Sequence, residues 1–207
     1  MTVRTMALGL AAAGVLAGAL GASAQPAMPK PSKDYKVAPA GAYALDPAHT
    51  ALIARVPHVG FSYSVFRFTA VSGELVWDPA NPAADKLNVT VEAKSITTAP
   101  TGAVNFPEEL SGAPFLNVAQ FPTATFVSKA FHALDATHGK VDGDLTIKGK
   151  TTPATFDVEL VGAGQGFRGP VIGVSARTTI DASGLGLPPM LAAPIELLID
   201  TEFDKKG

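Results

Sequence analysis

Two apolar–polar alternations, separated by a Lys-Gly turn, constrain this chain more than any other feature. In the first, Val141, Gly143, Leu145 and Ile147 fall on one side, and Asp142, Asp144, Thr146 and Lys148 on the other. In the second, Ala154, Phe156, Val158 and Leu160 alternate with Thr155, Asp157 and Glu159. A period of two turns one face to something apolar and the other to water. Two such runs joined by a short Gly-bearing turn read as a β-hairpin.

The same period recurs from Gly41 onward. Strands are predicted over 52–56, 65–77, 87–93, 122–133, 172–180 and 195–203, with turn dipeptides such as Asp78-Pro79 and Asn81-Pro82 between them. About eight strands at hairpin spacing, with little helix, predict an all-β sandwich or closed barrel. The segment 101–120 breaks the pattern. Asn105 suits a helix cap, and Pro107, Glu108 and Glu109 suit a first helical turn. Phe106, Leu110, Phe115 and Leu116 in this crossover need burial, either as a plug that completes the core or as a lid over a cavity. The plug is the expectation.

The N-terminus carries Arg4, then an apolar run from Met6 to Leu20, then Ala22-Ser23-Ala24. This is the pattern of a secretory signal peptide cleaved after Ala24, and it predicts a periplasmic protein. The run is too short for a retained membrane anchor, so no stable span is expected after cleavage. Residues 25–40, with Pro26, Pro29, Pro31 and Pro39, read as a flexible linker, and 41–207 as one domain. Without the signal peptide, 15 Lys+Arg stand against 18 Asp+Glu, which argues against a nucleic-acid partner. The absence of cysteine leaves packing alone to stabilise the fold and excludes thiolate metal sites.

No catalytic constellation is evident. Gly60-Phe61-Ser62-Tyr63-Ser64 lacks the second glycine of a nucleophile elbow, and Ser62 near His58 has no orienting acid. His49, His58, His132 and His138 show no ligand spacing, so neither a metal nor a cofactor is expected. Asp142-Gly143-Asp144 lacks the later ligands of a calcium loop.

Several short motifs follow one another in a recognisable order. They include Tyr43-Ala-Leu-Asp46-Pro-Ala-His49-Thr50, Val56-Pro-His58-Val-Gly60-Phe61-Ser62, Val71-Ser-Gly73-Glu-Leu-Val-Trp77-Asp78-Pro79 and Ser95-Ile96-Thr97-Thr98. Phe115-Leu-Asn-Val-Ala-Gln-Phe121-Pro122-Thr-Ala-Thr-Phe126-Val-Ser128 and the opening hairpin complete the set. Together they resemble the YceI-like, polyisoprenoid-binding family. The resemblance implies a lipocalin-like antiparallel eight-stranded barrel with a short helix in the crossover. It further implies an isoprenoid lipid or quinone held in an apolar pore, no reaction, and a homodimer. Ala54 stands where the family often has Phe, and Phe66 where it has Gly. Ala182 and Gly184 replace a family Arg and Asp, which leaves head-group recognition by those positions in doubt.

The candidate ligand-binding residues are His58, Phe61, Arg67, Phe126, Phe156, Val174 and Ala176. Arg67 is the preferred cation for an anionic head group, ahead of Arg55, Arg168 and Arg177. Small inward positions, namely Val89, Val91, Ala93, Ala124, Gly143, Val158, Val174 and Ala176, leave room for a tunnel. Phe61, Phe126, Phe156 and the crossover would fill it. The residues alone leave this open, so two functions stand side by side. One is a secreted lipid carrier. The other is a stress-response or protein-interaction module with a packed barrel. For the carrier, burying about ten isoprenoid carbons yields roughly 8 kcal/mol gross, and ordering the chain takes back several kcal/mol. The tail would then dominate affinity, and polar groups would choose the head.

Overall fold

A computed structural model describes residues 27–99, 102–191 and 193–207. The signal peptide read over 1–24 lies outside the described residues. The strands are β1 (Gly41–Leu45), β2 (Ala51–His58), β3 (Ser62–Phe68), β4 (Val71–Trp77), β5 (Lys86–Glu92), β6 (Ile96–Thr97), β7 (Thr123–Ala133), β8 (His138–Ile147), β9 (Lys150–Gln165), β10 (Pro170–Ile180) and β11 (Ile195–Lys205). One helix, α1 (Phe106–Ser111), lies in the crossover, with the Asn105 side chain accepting from the Glu108 N–H.

Eight strands close a ring in the order β1-β4-β5-β7-β8-β9-β10-β11 and back to β1, each neighbour antiparallel. This is the predicted lipocalin-like barrel. β11 holds two partners along one edge: β1 opposite Phe203–Lys205 and β2 opposite Glu196–Asp200. The β2–β3 hairpin and β6 therefore extend the wall beyond the ring. The stretch 65–77, predicted as one strand, is two. The chain changes partners at Thr69 and Ala70, where Thr69 N–H donates to Ser95 (3.2 Å) and the Ala70 carbonyl accepts from Glu92 (3.0 Å).

The alternation at the hairpin is realised. Val141, Gly143 and Leu145 are buried, as are Phe156, opposite Val141, and Leu160 further along β9. Lys148 and Gly149, both at positive φ, form the turn. Gly143 does not leave empty space, contrary to the expectation. A Cβ there would meet the Val127 carbonyl oxygen at 2.4 Å and the Phe126 ring at 2.5 Å, so that ring already occupies the position.

The crossover is not the plug. Phe106 is exposed, Leu110, Phe115 and Leu116 are only half-buried, and none belongs to a core cluster. The barrel end is closed instead by the segment after β10. Ala182, fully buried, and Leu185 pack against Ala54, Val56 and Ile195, with Phe66 and Phe68 against them. Ala54 and Phe66 are cross-strand partners on β2 and β3. The two departures from the family pattern thus compensate in size across one pair, the kind of exchange a close-packed interior tolerates.

Of residues 25–40, expected to be a flexible linker, the structure describes 27–40, and this part contacts the barrel. Ser32 exchanges two backbone hydrogen bonds with Ala163 on β9 (2.8 and 2.9 Å). Tyr35 packs edge-to-face on Trp77 with ring centroids 5.9 Å apart. Ala38 is buried, and the Tyr43 hydroxyl donates to the Pro39 carbonyl at 2.6 Å. The sequence hid this because prolines forbid a continuous strand there yet permit isolated bridges. Tyr43 is itself fully buried. Tyr43→Phe should cost about 1 kcal/mol, since it removes one buried hydrogen bond and keeps the ring. A urea midpoint measured alongside protease sensitivity of the strap would check both halves of this: lower stability and easier cleavage near Pro39.

Candidate functional site: an apolar barrel cavity

Above the closed end the ring encloses a cavity of about 220 Å³. Its wall comes from the inward positions of all eight ring strands, among them Leu45, Leu75, Val89, Phe126, Leu145, Val158, Val174, Ala176 and Ile199. It reaches the surface at the opposite end, where exposed His132, Ala133, Ala136 and His138 line it together with Tyr35 and Trp77. The N-terminal strap crosses this mouth. Lining atoms are almost wholly apolar. An apolar cavity of about 150 Å³ is already large enough to stay dry and take up a benzene ring. The packed-barrel alternative therefore does not describe this interior.

Four of the seven candidate residues meet at this cavity: Phe126, Phe156, Val174 and Ala176. Phe126 and Phe156 touch edge-to-face at 4.9 Å between centroids. The other three lie elsewhere. His58 ends β2 and is exposed, and Phe61 in the following turn is 91% exposed. Arg67 lies between inward Phe66 and Phe68 and so faces out, where it donates to the Thr50 carbonyl at 3.2 Å. Alternation along β3 sends an arginine and its phenylalanine neighbours to opposite faces. The remaining arginines also lie off the cavity wall. Arg55 pairs with Glu196 and stacks on Tyr63, and Arg168 approaches Asp46 and Asp204.

His49 lies in a carboxylate corner that sequence spacing did not reveal, because Glu202 comes from β11. Its Nδ1 is 2.8 Å from Asp46 and 3.9 Å from Glu202. The hydrogen bond to Asp46 raises the His49 pKa, and the same bond leads in lowering that of Asp46. Asp46 also accepts from Ala48 N–H (2.8 Å), and its carbonyl accepts from the Thr50 hydroxyl (2.6 Å). The three groups lie within 4.8 Å, as in a metal cluster. Arg168, 3.6 Å from the same Asp46 oxygen, makes them a charge network that fixes the β1–β2 corner.

Two polar residues at the mouth were missed. Trp77 ends β4 and Asp85 precedes β5, and both line the cavity. Asp85 Oδ1 accepts from Asp78 N–H at 2.6 Å, which ties the loop shut. Asp85 Oδ2 and Trp77 Nε1 are buried with no hydrogen-bond partner among the described residues. The sequence shows Asp78-Pro79 only as a turn, so a carboxylate seven residues on reads as loop polarity.

Burial pushes Asp85 up from 3.8 to about 6. Between those values the folded state keeps a proton that the unfolded chain releases, so stability falls as pH rises through the window. Above it the full cost stands, about 3 kcal/mol at most. Asp85→Asn should therefore be more stable than wild type at pH 8, by about 1–3 kcal/mol, and nearly equal to it at pH 3.5. Urea midpoints at the two pH values check this.

A closed antiparallel barrel of eight strands, packed at one end and with an apolar cavity open at the other, has room for a small apolar molecule. The chain belongs to the YceI-like domain family, whose profile matches residues 43–203. It is 31% identical over 163 residues to a UPF0312 protein of Vibrio cholerae, covering 77% of this chain and 82% of that one. The crystal structure of Campylobacter jejuni YceI matches at 28% identity with a TM-score of 0.64, covering 73% of this chain and 91% of the other. A polyisoprenoid binding domain from Saccharophagus degradans, implicated in plant cell wall breakdown, shares the fold at 14% identity with a TM-score of 0.55, over 79% and 98% of the two chains.

Proposed function

We propose that this protein is a non-catalytic lipid binder that holds an isoprenoid-type amphiphile, a polyprenyl lipid or quinone, with its tail in the barrel. The carrying observation is the apolar cavity of about 220 Å³, closed at one end by Ala182 and Leu185. Family membership and the polyisoprenoid binding domain of like fold support the same reading. Each tail carbon moved from water into such a wall contributes about 0.8 kcal/mol, so no charge pair is needed for affinity. The Ala22-Ser23-Ala24 site supports secretion and a periplasmic carrier or store.

The test is an organic extract of protein purified from its native periplasm, analysed by mass spectrometry. A stoichiometric isoprenoid is the expected result, and the purified chain should begin at Gln25. An extract free of lipid, from protein that also fails to take up a prenyl probe, would sink the reading.

A further inference from the structure

The head group has a place of its own, and its chemistry follows from the two polar residues at the mouth. This inference rests on the lipid-binder reading and goes beyond it. Trp77 Nε1–H is a donor only, and Asp85 Oδ2 is a carboxyl oxygen. Both are buried at the cavity wall without a protein partner among the described residues. Asp85 is only 7% exposed and is held in place by its bond from Asp78 N–H. Trp77 is held by Tyr35 of the strap, packed edge-to-face on its ring. A buried polar group left unpaired costs about 1–3 kcal/mol, so two on one cavity wall form a site that a ligand can satisfy.

The basic groups at the same mouth are already committed. His132 bonds to Asp142 (2.9 Å), His138 to Asp135 (3.0 Å) and Lys140 to Asp157. Among the cavity-lining residues they leave no unpaired cation for a phosphate, which would also face the Asp85 carboxyl; Lys36 of the strap lies over the Tyr35 ring, 5.7 Å from its centroid. A hydroxyl fits instead: it accepts one hydrogen bond and donates another. We propose that Trp77 and Asp85 are the head-group site of this barrel and select an uncharged hydroxyl, as on a prenol, prenylphenol or quinol, over a prenyl phosphate. The raised pKa of Asp85 agrees with a mouth that disfavours negative charge.

Trp77 is the only tryptophan in the chain, so its emission reports on this site directly. The experiment titrates delipidated protein with three probes of one tail: farnesol, farnesyl monophosphate and farnesene. Farnesol should bind about tenfold more tightly than the phosphate and shift the Trp77 emission. By calorimetry, Trp77→Phe and Asp85→Asn should each weaken farnesol binding by about fivefold to tenfold and leave farnesene unchanged. Farnesene binding thus controls for folding and for the cavity itself. Equal or tighter binding of the phosphate would overturn the assignment, as would farnesol affinity unchanged in both variants. In either case, farnesene binding to wild type would leave the lipid-binder reading standing. Failure of all three probes would overturn both.

Discussion

Replacing Gly143 with alanine should destabilise the barrel by about 3 kcal/mol, the upper range for overpacking a core. Two obstacles meet the new methyl group: the Phe126 ring at 2.5 Å and the Val127 carbonyl oxygen at 2.4 Å. The ring can turn away, but the carbonyl belongs to the β7 backbone. That backbone bulges here, the pairing with β8 slipping between Ser128 and Ala130, and Gly143 sits opposite Ser128. A bulge brings one strand unusually near its partner, and glycine admits the approach. Urea unfolding with an unchanged m-value would give the loss. Adding Phe126→Leu should recover only part of it, because the carbonyl remains. Full recovery would place the whole clash in the ring.

Ala176→Phe should empty the barrel without unfolding it. Ala176 lies mid-strand on β10, between Val158 on β9 and Ile199 on β11, facing the cavity. An aromatic ring there enters free space of about 220 Å³ rather than a packed wall. The urea midpoint should move by less than about 1 kcal/mol, well inside the cost of overpacking. Bound lipid, by mass spectrometry, should fall at least about tenfold, since the ring displaces tail carbons worth about 0.8 kcal/mol each. Arg177→Ala, one residue along and exposed, should leave the lipid content as it was. A strongly destabilised Ala176→Phe, with no lipid in wild type, would speak for a filled interior.

The barrel was legible because alternation is a local property that the closed ring preserves. Phe126, Phe156, Val174 and Ala176 were placed on the inner face by that rule, and they are there. The same rule put Gly143 among the space-making residues and failed, because period tells which face a residue takes, not what leans over it. The crossover misled for a related reason. Four apolar side chains in a loop announce a need for burial but not where it is met, and the closing role fell to a second apolar loop, whose Ala182, Leu185, Leu187 and Leu191 pack at the barrel end. His58 and Phe61 were taken from a motif whose order is informative about family but silent about direction. Trp77 and Asp85 stayed hidden because their pairing depends on the loop fold that draws Asp85 back to Asp78.

The seal at Ala54, Phe66, Ala182 and Leu185 makes the interior a blind alley. A molecule cannot thread through; it must back out by the door it entered. Such a chamber acts as a ruler. On the proposed binding mode, tails up to its depth would seat fully and bring their polar end to Trp77, whereas longer ones would leave a remainder standing in water or folded under the strap. Exchange with a membrane or another carrier would then start from the polar end, and only the side bearing residues 32–38 need meet the acceptor.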